Sequence, residues 1–374
     1  MTKAKIRGPE RDHLRFGFTL HRAIAGEGGN SCFSPYSVAS ALGLTAQAAS
    51  GQTTRELVEL LAAGDPDIAK QADLLRSAAT LPEQSRREAP VLEVANTLWA
   101  DQGLPIVEDF AVELAAWPRG TVEPAPFAAD SEAARRLINA DVARTTRDLI
   151  PELLAPGSVD SDTVASLVNA LYLKTSWTHP FSGTEDADFH SPSGTRRVPT
   201  MRQSENLGYA NADGWQLVEL PAVGGVVATI LLPDGDLADQ ESTMDVSRFG
   251  SLLDGKGYRQ VRLAMPRFKL DTRAGLKAVL EGLGVRAMFQ RDEADFSRLT
   301  PVRPVWVDGV VHQAVLRIDE QGLEGAAATA TTFRTLSMIS GPPPVEVVVD
   351  RPFLLLVRHA GTGVVYFFAR VVEP

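Results

Sequence analysis

Between Gly325 and Thr332 the chain reads Gly-Ala-Ala-Ala-Thr-Ala-Thr-Thr, eight consecutive residues without a charge, a proline or a large side chain. Every backbone N–H in such a run is free to join a β-ladder, and no side chain is large enough to clash with strands on either side. As a strand, the run places Leu323, Gly325, Ala327, Thr329 and Thr331 on one face and Glu324, Ala326, Ala328, Ala330 and Thr332 on the other. Its one charge, Glu324, then lies opposite Leu323. The character reverses after Ser340, where Gly341 precedes three prolines, Pro342 to Pro344, that a central strand cannot hold. An insertable segment must end before them.

The energetics say why a protein would carry such a loop. A strand of about fifteen residues added to the middle of a sheet makes about fifteen ladder hydrogen bonds at roughly 1 kcal/mol net each, with burial of small apolar groups besides. That rivals the whole stability of an ordinary domain, roughly 5–15 kcal/mol. A loop tethered at both ends cannot easily release it, so the uncut fold is metastable. Cutting the tether frees the strand to insert.

The rest of the chain supplies the sheet. Helical spacing dominates the first third: Ser34 to Ser50 opens Ser-Pro, with Ser34 able to cap, Pro35 at the first turn, and Gly51 placed to end the helix. A second helix follows from Thr53 or Thr54 through Leu57, Leu60 and Leu61, and a third is predicted from Asp130 to Leu154. Later, β-branched and aromatic residues gather into short runs bounded by glycine and proline. These predict strands over 163–174, 216–220, 226–232, 260–263, 310–319, 345–349, 353–358 and 364–371, interrupted by one helix from Thr272 to Leu283 closed by Gly284. With 374 residues, 44% of them hydrophobic, and no repeat, linker or composition break, the expectation is a single α+β domain spanning 1–374.

Composition narrows the partners. A formal charge of −10 weighs against nucleic acid and anionic membrane surfaces. Cys32 has no second cysteine to pair with and is expected to be a small buried residue. The charged opening stretch has no apolar run long enough for a signal peptide or a span, giving a cytoplasmic expectation, with an extracellular location as the alternative. Of His13, His21, His179, His190, His312 and His359, none lies near a Gly-x-Ser-x-Gly pattern, which the sequence lacks, and no His-Glu-x-x-His is present. Gly250 to Lys256 nearly matches a phosphate loop, but Gly257 stands where the hydroxyl should be, so a surface turn is expected. No enzyme, metal or cofactor is expected.

Read in order, a set of segments resembles the serpin family and spans the chain from about Asn30 to its end. They are Asn30-Ser-Cys-Phe-Ser-Pro-Tyr-Ser-Val38 with Ala41-Leu42 and Gly51-Gln-Thr53; Ile138-Asn139 and Thr145; and Val168-Asn-Ala-Leu-Tyr-Leu-Lys-Thr-Ser-Trp177 with Phe181. Val218-Glu-Leu-Pro221, Ile230-Leu-Leu-Pro233, Met265-Pro-Arg-Phe268, Leu283-Gly284, Phe289 and Ala294-Asp-Phe-Ser297 continue the series. It closes with His312-Gln-Ala, Ile318-Asp-Glu320, Gly322, Glu324 to Thr329 and Arg351-Pro-Phe353. The resemblance implies the serpin fold, with helices around mostly antiparallel and mixed sheets and an exposed reactive-centre loop at about 320–344. It implies an inhibitor of serine peptidases that is cut as a substrate and traps its target as an acyl-enzyme by inserting the loop into the central sheet.

The family's counting, from Glu320 at the start of the hinge and Gly322 two further on, puts the bait residue at Leu336 and the cut before Ser337, with Met338 and Phe333 as alternatives. All three are apolar, which suggests chymotrypsin-like, elastase-like or subtilisin-like targets; Arg334, which a trypsin-like enzyme would want, sits too early. The hinge comprises Glu320, Gly322, Leu323, Glu324, Gly325, Ala326, Ala327, Ala328 and Thr329. By resemblance, Ser34, Ser37, Asn169 and His312 form the polar cluster that governs sheet opening, and Trp177, Arg267 and Glu320 the group at the top of the sheet. Two hinge positions depart from the inhibitory pattern: Leu323 stands where a small threonine or serine is usual, and Gly325 where alanine is. They favour the rival reading, a non-inhibitory serpin acting as carrier, chaperone or plain substrate. No basic run appears near Lys70 to Arg87, so no heparin binding is expected, and the chain is expected to be a monomer.

Overall fold

Apolar residues at alternate positions build a half-buried strand, and the computed structural model has more of them than the sequence pattern suggested. The structure describes residues 6, 8–25, 28–63, 68–82, 88–115, 117, 120–323 and 343–374. Within these, the helices are α1 (Pro9–Ile24), α2 (Pro35–Ala48), α3 (Gly51–Ala62), α4 (Ala69–Ser77), α5 (Glu108–Ala115), α6 (Ser131–Thr145), α7 (Leu237–Gln240), α8 (Val246–Gly255) and α9 (Lys277–Gly282). The strands are β1 (Ser31–Phe33), β2 (Val91–Asp101), β3 (Gly120–Ala125), β4 (Ala165–Ser176), β5 (Gly183–Ser191), β6 (Gly194–Ala212), β7 (Trp215–Pro221) and β8 (Val226–Pro233). They continue with β9 (Gly257–Pro266), β10 (Phe268–Gly275), β11 (Val311–Ile318), β12 (Gly322–Leu323), β13 (Val345–Val348), β14 (Phe353–His359) and β15 (Val365–Val371).

Two sheets result. The larger runs β1-β15-β14-β8-β7-β6-β9-β13, with β5 paired to β6; the smaller runs β10-β11-β12-β4-β2-β3. Helix α2 is buried along nearly its whole length in the main core, which is why its apolar residues extend beyond one stripe. Ser34 caps it, its Oγ accepting from the Ser37 N–H at 3.0 Å, with Pro35 in the first turn. Helix α6, capped by Asp130, crosses the other face of the smaller sheet and seals a second core of Trp99, Phe127, Ile138, Val142, Val168 and Val315. Covered on both faces, β4 reads as a near-continuous apolar run from Val168 to Leu173.

Several expectations are corrected. The helix expected over 272–283 is only α9; Thr272 to Gly275 instead continue β10, paired residue by residue with β11 from Ala314 to Val311. Phe268 and Leu270 are buried while Lys269 and Asp271 are exposed, and the same period of two runs on through Thr272 to Gly275, the part that the helical expectation covered. Helix α6 stops at Thr145 rather than Leu154, because Arg147 and Asp148 adopt left-handed φ values of 50° and 62° and the Thr146 hydroxyl takes the Ile150 N–H. Gly51, at φ 59°, opens α3 instead of closing α2, and the Thr53 hydroxyl accepts from the Asp295 N–H rather than capping. The segment expected as a surface turn at Gly250 lies in α8, which Asp245 caps. Strands β1, β2, β3, β5 and β6 had no counterpart in the sequence reading.

Candidate functional site

The site forms where β11 ends. Asp319 makes the turn: its carboxylate accepts from the N–H groups of Gln321 at 2.8 Å and Gly322 at 3.1 Å, while its own N–H donates to the Gly322 carbonyl at 3.1 Å. The chain reverses, and Gly322 and Leu323 become β12, antiparallel to both neighbours. Leu323 pairs with Ile318 on β11 and Thr175 on β4, and Gly322 with Ser176. A Cβ at position 322 would stand 2.1 Å from the Thr175 carbonyl oxygen, so only glycine fits. Leu323 is fully buried in the main core.

Strand-end residues frame this turn. The Trp177 indole N–H donates to the Asp319 carbonyl and its backbone N–H to the Gln321 carbonyl, both at 2.8 Å, and the Phe181 N–H donates to the Glu320 carbonyl at 3.0 Å. The Glu320 carboxylate accepts from the Thr184 hydroxyl and faces Arg267 at 3.8 Å. Burial alone would raise its pKa, but these hydrogen bonds and the Arg267 charge outweigh burial and hold it below the usual carboxylate value. Trp177, Arg267 and Glu320 are thus brought together, although the half-exposed Arg267 makes the ion pair a weak one.

Among the described residues, β4 and β11 are joined only through the two residues of β12. Below Leu323 they flank a cavity of about 200 Å³ that reaches down to Thr163 on one side and Asp308 on the other. Ser37, Asn169 and His312 line it. The Ser34 N–H donates to His312 Nε2 at 3.0 Å, so Ser34, Ser37 and His312 form one hydrogen-bonded group. Burial pulls the His312 pKa down to about 4, keeping the imidazole neutral and Nε2 an acceptor. Asn169 lies across the cavity from this group. Its Nδ2 donates to Asn96 on β2, and its buried Oδ1 has no partner among the described residues.

A strap follows α6 and crosses the gap. Asn139 holds it at both polar atoms of its amide, accepting from the Leu154 N–H at 2.8 Å and donating to the Leu154 carbonyl at 2.9 Å. Arg135 donates to the same carbonyl, and on the far side Arg273 of β10 donates to the Leu153 carbonyl at 2.6 Å. Sequence reasoning missed Asn96, Thr184 and Arg273, whose partners lie 73, 136 and 120 positions away. Asp319 had a local signal, an aspartate three residues before a glycine. Glu324, Gly325, Ala326, Ala327, Ala328, Thr329, Phe333, Leu336, Ser337 and Met338 lie outside the described residues.

A family model described as Serpin (serine protease inhibitor) matches residues 12–374. The chain is 35% identical to putative serpin-Z12 of Oryza sativa subsp. japonica over 94% of this chain and 87% of that one. It is 31% identical to leukocyte elastase inhibitor A of Mus musculus over 92% of this chain and 93% of the other. Uncleaved ovalbumin, a solved structure, superposes with a TM-score of 0.85 at 25% identity, covering 98% of this chain and 100% of that one.

Proposed function

Since the chain belongs to the serpin family, we propose that it inhibits serine endopeptidases by trapping them as acyl-enzymes while its cut loop inserts between β4 and β11. The observation that carries this reading is β12: the first two residues after the turn already occupy the slot that the remainder would fill. In sequence the Ala-Thr run follows directly on Leu323 and Glu324, with nothing in it that a central strand would reject.

In the proposed sequence the peptidase serine attacks the carbonyl carbon of Leu336. The Leu336–Ser337 C–N bond breaks, the Ser337 amine leaves with a proton, and Leu336 stays esterified to the peptidase. Freed of its C-terminal tether, the loop extends β12, one residue at a time, carrying the peptidase with it. If this outruns hydrolysis of the ester, the enzyme is held. The family's assignment of Trp177, Arg267 and Glu320 to the top of the sheet suits their place around the turn, where they fix the angle at which the loop leaves. Ser34, Ser37, Asn169 and His312 stand where β4 and β11 must stay apart for the new strand to pass. An apolar bait, whether Leu336, Met338 or Phe333, directs the reading to chymotrypsin-like, elastase-like or subtilisin-like peptidases.

Leu323 favours a second reading. Its full burial in the intact molecule takes part of the apolar gain before any cut is made, which lowers the drive that remains and fits a non-inhibitory relative whose loop is merely clipped. Incubating the protein with chymotrypsin and running a denaturing gel separates the two. A band at the summed mass, with peptidase activity lost in proportion, is expected; quantitative clipping with active peptidase left behind would establish the second reading instead.

A further inference from the structure

We propose that the cleft between α6 and the β2–β3 edge of the smaller sheet binds a neutral sugar of about disaccharide size, a site that does not depend on the insertion reading above.

The register of the sheet builds one wall. β2 and β3 run parallel, with Thr97 beside Thr121 and Trp99 beside Glu123. These residues alternate onto the face that α6 crosses. The helix leans over them without closing the gap, because Leu137, Ala140 and Arg144 share one side of it and the middle side chain of the three is only a methyl group. A cleft of about 670 Å³ is left, within the ~300–1,000 Å³ usual for small-molecule sites.

Two observations point to a ligand. The Trp99 ring lines the cleft and is only 6% exposed, yet its indole N–H has no acceptor among the described residues. A buried donor left unmatched costs stability that an acceptor on a ligand recovers. At the same cleft Leu137, 43% exposed, leaves a large apolar side chain open to solvent.

The charges choose the class. Glu93, Glu123 and Asp141 meet Arg144 and Arg147 here; Asp141 already pairs with Arg144, and the Arg147 guanidinium lies over the Tyr172 ring, 5.0 Å from its centre. A cation attracted by the carboxylates would face two guanidinium groups, and an anion would face three carboxylates. Neutral hydroxyls suit both signs, since each can donate to a carboxylate and accept from a guanidinium or from the indole N–H, with the Thr97 and Thr121 hydroxyls able to do either. A sugar ring adds a face of C–H groups to lay against Leu137 and the Trp99 ring.

Calorimetry on the intact protein tests the site, with maltose, lactose, sucrose and trehalose each titrated through the millimolar range, and spermidine and citrate as a cation and an anion. Heat of binding is read rather than melting, because sugars excluded from protein surfaces stabilise every variant alike. At least one sugar should bind saturably. Trp99→Phe keeps an aromatic ring, removes the N–H, and should weaken that binding about tenfold, the worth of one matched hydrogen bond. Ala140→Phe, at an exposed helix position, fills the cleft without entering the core and should abolish binding. Saturable heat from none of the four sugars overturns the proposal, and so does sugar binding that both variants retain, which would place the sugar elsewhere. Binding of spermidine or citrate alone, lost in Ala140→Phe, would make the cleft an ion site and overturn the assignment to a neutral sugar.

Discussion

His312 shows how one buried side chain can tie the stability of the fold to pH. Its Nε2 must stay unprotonated to accept from the Ser34 N–H, and burial holds its pKa at about 4 against an ordinary value of 6.5. His13 is in the same position, accepting from the Val365 N–H at 3.0 Å with its pKa also at about 4. Above pH 6.5 neither group distinguishes folded from unfolded chain. As pH falls from 6.5 toward 4 the unfolded chain binds protons that the folded one refuses, so stability is lost over that window, by roughly 3 kcal/mol for each histidine. In His312→Gln, where Oε1 can keep the acceptor without titrating, urea midpoints between pH 6.5 and 4 should fall less steeply than in wild type, the remaining slope coming from His13, from His359, whose pKa burial also lowers, and from carboxylates such as Glu241 and Glu320 that are held below their ordinary value. An unchanged slope would show that His312 is already protonated in the folded state.

At the scale of elements, the smaller sheet has β4 and β11 joined, among the described residues, only through β12, with the strap after α6 held across them. The strap's anchors are unequal: Asn139 and Arg135 hold it to α6, which packs on β2 and β4, while Arg273 alone among the described anchors reaches it from β10 on the far side of the slot. On the proposed mechanism, the inserting strand has to pass beneath it. Removing the Arg273 hydrogen bond should cost the intact fold about 1–2 kcal/mol and make insertion faster. In Arg273→Ala we expect fewer molecules of inhibitor consumed per peptidase trapped, read by titrating chymotrypsin activity; a higher number would mean that the strap guides the strand rather than obstructs it.

For the whole molecule the decisive quantity is the gap between the intact and the cut state. Extending β12 by about a dozen residues adds about as many ladder bonds at roughly 1 kcal/mol each, so the guanidinium midpoint should rise by at least about 1 M on nicking. A midpoint that stays put would mean that the intact molecule is already at its minimum. What the sequence determined is what short-range chemistry writes: the Ser34 cap, the start of a helix at Asp130, the apolar strands on either side of the core, and a run of small uncharged residues after Glu324. The family signal in ordered segments also belongs there. Tertiary structure decided the rest, because it depends on partners far apart in the chain. The turn of Thr272 to Gly275 into strand follows from pairing with β11, and the early stop of α6 from the strap it feeds. Asn169 bonding Asn96 instead of His312, and the void above Ala41 and Ala48, are products of packing between layers, where no local pattern records how much space is left over.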